Sequence, residues 1–125
     1  MPPRFTASRE AEFSAAHFLR EYHGACERLH GHNYRVRVVA GCDELGAEGM
    51  VVDFLRLRDA LAGVLSRFDH ALLNDVPPFE ALNPTAEHLA RFIAEEVARE
   101  IDDGRARIVE CRVWETGRNC AAYRR

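Results

Sequence analysis

The sequence predicts an α+β fold with the order ββααββ, a four-stranded antiparallel sheet carrying two helices on one face. Three observations support this. Residues 33–41 and 105–115 alternate with period two, residues 54–67 and 84–101 repeat apolar side chains at helical spacing, and the two helical stretches stand consecutively between strand pairs.

Taken in order, residues 4–16 mix aromatic and small side chains in loose alternation and read as the first strand. In residues 33–41, Tyr34, Val36, Val38 and Ala40 share one face, with Arg35 and Arg37 on the other. The polar turn from Gly41 to Gly49 follows. Asp53 is placed as an N-cap, ahead of Phe54, Leu57, Leu61, Val64, Leu65 and Phe68 at helical spacing, and that helix is expected to reach about Arg67. Residues 69–82 read as a loop around Pro77-Pro78. Asn83-Pro84 then predicts a helix start, with Asn as cap and Pro at the first helical position. Ala86, Leu89, Phe92, Ile93 and Val97 form its apolar stripe, and Asp102-Asp103-Gly104 ends it. Period two returns from Arg105, with Val109, Cys111, Val113 and Glu115 on one face and Ile108 and Trp114 on the other. After the turn Thr116-Gly117-Arg118-Asn119, residues 120–124 form a short last strand. So small a sheet leaves edges to cover, which oligomerisation commonly does.

The 125 residues fit one domain, 1–125. All 17 basic residues are arginine. With no lysine, Schiff-base catalysis and a P-loop are excluded. Proton chemistry must therefore use His, Cys, Asp, Glu, Tyr or a metal-bound water. A net charge of -3 gives no case for nucleic acid or an anionic membrane. No apolar run is long enough to span a bilayer, and the start of the chain lacks the apolar stretch of a secretory signal. The expectation is a cytoplasmic protein, with Cys26, Cys42, Cys111 and Cys120 as thiols. Cys42, Cys111 and Cys120 read as small buried apolar residues.

The densest chemistry lies in His17 and the run Cys26-Glu27-Arg28-Leu29-His30-Gly31-His32. A His-x-His pair on an extended segment sets both imidazoles on one side. Two such rings resist joint protonation but share a cation readily, and His17 at the end of the first strand is the natural third ligand. Cys26 is either a fourth ligand closing a structural zinc site or a base beside an open catalytic one. His23 and His88 read as ordinary surface or core histidines. Asp69-His70 reads equally as a carboxylate–imidazole pair able to move protons and as a histidine favoured at a helix C-terminus. Glu115, on a face with apolar neighbours, is either at a solvated strand end or aimed at a ligand.

His17, Cys26-x-x-x-His30-Gly31-His32, Asp69-His70 and Trp114-Glu115-Thr116 together resemble the 6-pyruvoyl-tetrahydropterin synthase family, in particular its bacterial branch that forms 6-carboxy-tetrahydropterin. Phe13-Ser14-Ala15-Ala16-His17, Val52-Asp53-Phe54, Leu72-Leu73-Asn74-Asp75 and Asn83-Pro84-Thr85-Ala86-Glu87 extend the resemblance over nearly the whole chain. It implies the tunnelling fold, assembled as a homohexamer of two stacked trimers with active sites at subunit interfaces. It implies Zn²⁺ held by His17, His30 and His32, Cys26 as thiolate base, an Asp69–His70 proton relay, and Glu115, helped by Thr85, anchoring a pterin. The implied reaction converts 7,8-dihydroneopterin triphosphate to 6-carboxy-5,6,7,8-tetrahydropterin, releasing acetaldehyde and triphosphate.

Glu27 directly after Cys26 opens an alternative. Relatives with a glutamate in that place resemble folate-pathway enzymes that form 6-hydroxymethyl-7,8-dihydropterin, so both residues together imply either product or both. The reading of Glu27 as a solvated loop charge stays beside it. The short spacing from Cys26 to His30 argues against 6-pyruvoyl-tetrahydropterin as the product. A closed site with Cys26 as the fourth ligand would instead make the protein a non-catalytic zinc module.

Overall fold

In the structure, a computed structural model that describes residues 1–21, 24 and 27–125, the chain forms one sheet with both helices packed on the same face. The elements are β1 (Phe5–His17), β2 (His30–Cys42), α1 (Phe54–Leu65), β3 (Ala71–Leu72), α2 (Ala86–Ile101), β4 (Arg107–Trp114) and β5 (Cys120–Arg124). The α+β class is as expected, but the sheet has five strands in the order β3-β1-β2-β4-β5. The extra strand, β3, falls within the stretch expected to be a loop. It pairs parallel to β1 through Ala15↔Ala71 and Ala16↔Leu72. Two residues are too few for a period to show.

β1 and β2 are the frame. Their antiparallel register runs unbroken from Phe5↔Cys42 to His17↔His30. β1 falls within one residue of the expected span, whereas β2 reaches further than the alternation alone suggested, because the histidine-rich segment 30–32 is itself strand. On the helix-facing side, Phe13, Ala15, Tyr34, Val36, Val38 and Ala40 are buried, and the Phe13 and Tyr34 rings stack at 4.7 Å and 9°.

β4 carries a correction. Ile108 lies on the core side with Cys111 and Val113, not on the opposite face with Trp114. The register steps from Val39↔Glu110 to Ala40↔Ile108, so Val109 is an inserted bulge residue. A bulge shifts the alternation by one residue. The Val109 carbonyl accepts a hydrogen bond from the Arg125 N–H at 2.9 Å instead. On the far face, Arg35 lies over the Trp114 ring at 4.0 Å and steadies the end of β4.

The helices cover the apolar face. Asp53 caps α1 as expected, its Oδ1 accepting the Leu55 N–H at 2.8 Å. Leu57, Leu61, Val64 and Leu65 are buried, whereas Phe54 faces solvent. On α2, the buried stripe from Ala86 to Ile101 includes Leu89, Ile93 and Val97. Its cap is Thr85, not Asn83: the Thr85 hydroxyl accepts the His88 N–H at 3.2 Å. Phe68, Phe79 and Phe92 close the end of the core beside Phe13. Of the three cysteines expected to be buried, Cys42 and Cys111 are, and burial pushes the Cys111 thiol up to about 12, whereas Cys120 is exposed.

Two asparagines hold the segment leaving β1. The buried Asn74 accepts from the Phe18 N–H and donates to the Phe18 carbonyl, both at 3.0 Å. Asn83 does the same for Arg20, accepting at 2.9 Å and donating at 3.2 Å. Each side chain imitates a strand neighbour where no strand is present. Asn74→Ala removes both bonds to Phe18, and a loss of about 1–3 kcal/mol is expected, read from the urea midpoint at unchanged m-value. A midpoint equal to that of the parent would show that this clamp contributes nothing.

Candidate metal centre and active site

The β1–β2 register assembles three imidazoles at one end of the sheet. His17 ends β1 directly opposite His30, and His32 follows two residues along on the same face, opposite Ala15. The ring centroids of His17–His30, His17–His32 and His30–His32 are 4.6, 5.1 and 4.8 Å apart. One ring nitrogen from each lies within 4.8 Å of the others. His17 is 1% exposed.

Hydrogen bonds set the ring orientations. His17 Nδ1 lies 2.8 Å from the Pro84 carbonyl, and His30 Nδ1 lies 2.6 Å from the Arg28 carbonyl. A carbonyl only accepts, so both Nδ1 atoms carry the proton and both Nε2 atoms present a lone pair. Those two Nε2 atoms face each other at 3.0 Å. A bond between them would cost one ring its backbone partner. His32 Nε2 is buried with no hydrogen-bond partner among the described residues. Three converging basic nitrogens, one of them orphaned, are what a cation satisfies. Three imidazoles with one position left open suit a catalytic zinc.

Electrostatics agree. Burial lowers the pKa of His17, with His30 and His32 adding to the effect and the Pro84 bond and Glu115 opposing it. Burial likewise lowers His32, against Glu115. Both shifts favour the neutral ring, the form in which an imidazole can hold a metal. The Glu115 carboxylate lies 3.8 Å from His32 Nε2, close enough to bias the site but not a salt bridge to a neutral ring. Glu115 is the first residue after β4. The tight turn holds it: its N–H donates to the Asn119 carbonyl at 3.1 Å, and the Thr116 hydroxyl accepts from the Arg118 and Asn119 N–H groups.

Asp69 and His70 form a second centre, on the edge where β3 joins β1. His70 Nδ1 lies 3.1 Å from Asp69 Oδ1, which also accepts the Ser14 N–H at 3.0 Å. The His70 N–H donates to the Ser14 carbonyl at 2.6 Å. Ser14 thus grips both members through its backbone. His70 takes a left-handed φ of 60°, rare for a residue with a side chain, and its side chain is 82% exposed. The Ser14 N–H, then the His70 ring, hold the Asp69 carboxyl below its ordinary pKa. A shallow groove of about 470 Å³ runs from Ser14 and Asn33 past Gly31 and His32 to His70 and Leu72. His32 of the triad and His70 of the dyad line this groove, and no hydrogen bond joins the two centres among the described residues.

The remaining candidates are placed as follows. Thr85 is engaged as the cap of α2, one residue after the carbonyl that orients His17. Glu27 is exposed, and its N–H donates to the Gly24 carbonyl at 3.0 Å. Cys26 lies outside the described residues, as does His23. His88 is an ordinary satisfied residue, its Nδ1 donating to the Asn83 carbonyl at 2.7 Å. Sequence reasoning missed the supporting groups: the Pro84 carbonyl, the Ser14 backbone and the Tyr34 hydroxyl, 3.1 Å from His17 Nδ1. Only Tyr34 had a readable signal, since it continues the His30, His32 face.

Comparison with known proteins matches this frame. The 6-carboxy-5,6,7,8-tetrahydropterin synthase of Bacillus subtilis (strain 168) is 35% identical over 130 residues, covering 98% of this chain and 87% of that protein. The protein of the same name from Synechocystis sp. is 42% identical over 90 residues, 68% of each chain. Among solved structures, 6-pyruvoyl tetrahydropterin synthase of Caenorhabditis elegans superposes with a TM-score of 0.85 at 28% identity, covering 100% of this chain and 99% of that one. The fold is thus the tunnelling fold of those enzymes. Since the sequence profile described as 6-pyruvoyl tetrahydropterin synthase also matches residues 6–125, the chain belongs to that family.

Proposed function

We propose that this chain is a zinc-dependent lyase that converts 7,8-dihydroneopterin triphosphate to 6-carboxy-5,6,7,8-tetrahydropterin, with release of acetaldehyde and triphosphate. The observation that carries the reading is the imidazole triad, with two lone pairs facing each other at 3.0 Å and a third nitrogen buried without a partner. The names of the similar proteins from Bacillus subtilis and Synechocystis sp. support the choice of product. His17, His30 and His32 would hold the zinc, which would supply Lewis-acid polarisation of the substrate's side-chain hydroxyls and stabilisation of enolate-like charge.

The chain's own groups supply the rest. Glu115 accepts from the 2-amino/N3 edge of the pterin and orients it, with Thr85 beside the loop that holds His17. Asp69 stays ionised against Ser14 and fixes the His70 tautomer, so that Nε2 of His70 takes or returns a proton. Cys26 acts as the thiolate base, and Glu27 is a second base that would direct the chemistry toward 6-hydroxymethyl-7,8-dihydropterin. The exposed dyad and the two sheet edges fit a cytoplasmic homohexamer, a dimer of trimers with active sites between subunits. β3 covers β1 only at Ala15 and Ala16, and β5 is the other edge. Among the described residues, no helix is long and apolar enough to cross a membrane.

Product analysis after incubation with 7,8-dihydroneopterin triphosphate is expected to show acetaldehyde and 6-carboxy-tetrahydropterin. 6-Hydroxymethyl-7,8-dihydropterin instead would assign the folate reaction, and neither product would sink the lyase reading. Asp69→Asn keeps an acceptor for the Ser14 N–H but presents an amide to His70. A fall in kcat of about a hundredfold or more is expected, with zinc content unchanged by elemental analysis. Unchanged kcat would remove the dyad from the mechanism.

The pH dependence has a definite sign. His17 and His32 have folded pKa values below the ordinary 6.5, so the unfolded chain binds more protons there. Their contribution to stability is complete above that value and is lost as pH falls toward the folded values. The metal-free protein is expected to unfold at lower temperature at about pH 5.5 than at about pH 7.5, and the zinc form to release its metal over the same window. Equal midpoints and retained zinc would contradict the buried, neutral triad.

A further inference from the structure

We infer that Tyr34 is a positioning residue for His17: its buried hydroxyl, together with the Pro84 carbonyl, locks the imidazole in the tautomer that presents Nε2 to the metal. The inference rests on the metal reading above for its purpose and on hydrogen-bond geometry for its substance.

Tyr34 lies on the helix-facing side of β2, two residues past His32, and is 0% exposed. Its ring stacks on Phe13 at 4.7 Å and stands edge-on to His17 at 5.8 Å and to His32 at 5.3 Å. Phenylalanine would meet all of those packing needs. The hydroxyl is therefore the part that needs an explanation, because a buried hydroxyl without a partner is unfavourable. Its one hydrogen-bond partner among the described residues is His17 Nδ1, at 3.1 Å.

The same Nδ1 points at the Pro84 carbonyl at 2.8 Å. The carbonyl can only accept, so the nitrogen carries the proton and the tyrosine oxygen is a second acceptor for it. With the proton moved to Nε2, the Nδ1 lone pair would face the carbonyl oxygen, and the metal-facing lone pair would be lost. Turning the ring over would set a carbon against both acceptors. Tyr34 and Pro84 thus enclose Nδ1 from the strand and from the loop before α2. That loop is itself tied down, because Asn83 grips the Arg20 backbone and Thr85 caps the helix.

The test compares the parent chain with Tyr34→Phe in two measurements. Ring ¹⁵N shifts of the metal-free protein report the His17 tautomer, and competition with a chromophoric chelator reports zinc affinity. The parent is expected to hold His17 entirely as Nδ1–H, with a through-space contact from that proton to the Tyr34 ring. Tyr34→Phe leaves Pro84 as the sole acceptor for Nδ1–H, so a detectable Nε2–H share is expected beside a Nδ1–H majority, with zinc bound about tenfold or more weakly and circular dichroism matching the parent. Identical tautomer populations and zinc affinity in the two proteins would overturn the inference. So would a parent protein with His17 as Nε2–H, a result that needs no variant to fold. Parent protein that takes up no zinc would sink the zinc reading alone, since the ring shifts decide the tautomer lock on the metal-free chain.

Discussion

The register of β1 on β2 is the constraint on which everything else depends. It sets His17 opposite His30 at the last pair of a ladder that begins at Phe5↔Cys42. Strand side chains alternate, so a slip of one residue would send His30 and His32 to the solvent face and bring Gly31 and Asn33 inward. The register is held by apolar burial along the rest of β2, where Tyr34, Val36, Val38 and Ala40 all face the helices. The hydrophobic pattern of the strand thus also brings the three imidazoles to one face, and the hydrogen bonds of His17 and His30 only orient those rings there.

Much of this was legible in the sequence, and the reasons are particular. The His-x-His spacing states its own geometry once the segment is extended, and a third histidine at the end of the preceding strand completes it. Asp53 was readable as a cap because a carboxylate before an apolar helical stripe has few other uses. The failures are equally specific. The bulge at Val109 has no sequence signature, and it alone moved Ile108 to the core face. Asn83 resembles a helix cap, but its side chain is committed to the Arg20 backbone, leaving the role to Thr85 two residues on. β3 is a product of tertiary packing, made when Ser14 grips Asp69 and His70 and so brings Ala71 alongside Ala15. Backbone partners such as Ser14 and Pro84 carry no chemical label in a sequence.

The loop between Leu72 and α2 also changes meaning in the structure. As sequence it is a proline-containing connection. In the fold it is scaffolding for the segment leaving His17. Asn74 and Asn83 bracket Phe18 and Arg20, while the Arg20 guanidinium returns to the Phe79 and Glu80 carbonyls at 3.0 and 3.2 Å. These bonds close on one another, so the carbonyl of Pro84 arrives at His17 with little freedom left. A ligand nitrogen oriented from behind in this way retains its aim when nothing lies in front of it.

The two centres then solve one problem by opposite physics. A metal ligand must be a neutral imidazole, and a carboxylate that fixes a proton-carrying histidine must be ionised. For His17 and His32 the structure removes water, which disfavours the charged ring. For Asp69 it leaves water in place and supplies a backbone N–H and the His70 ring, which favour the charged carboxylate. Both shifts are downward and both hold the group deprotonated, but one acts through burial in the core and the other through hydrogen bonds at an exposed edge. Their separation along β1 is only that from Ser14 to His17, so a single strand carries the chain from one regime to the other. The same deprotonated outcome is thus favoured at two neighbouring places beside one strand by removing water at one and by supplying donors at the other, so neither centre depends on the other for its charge state.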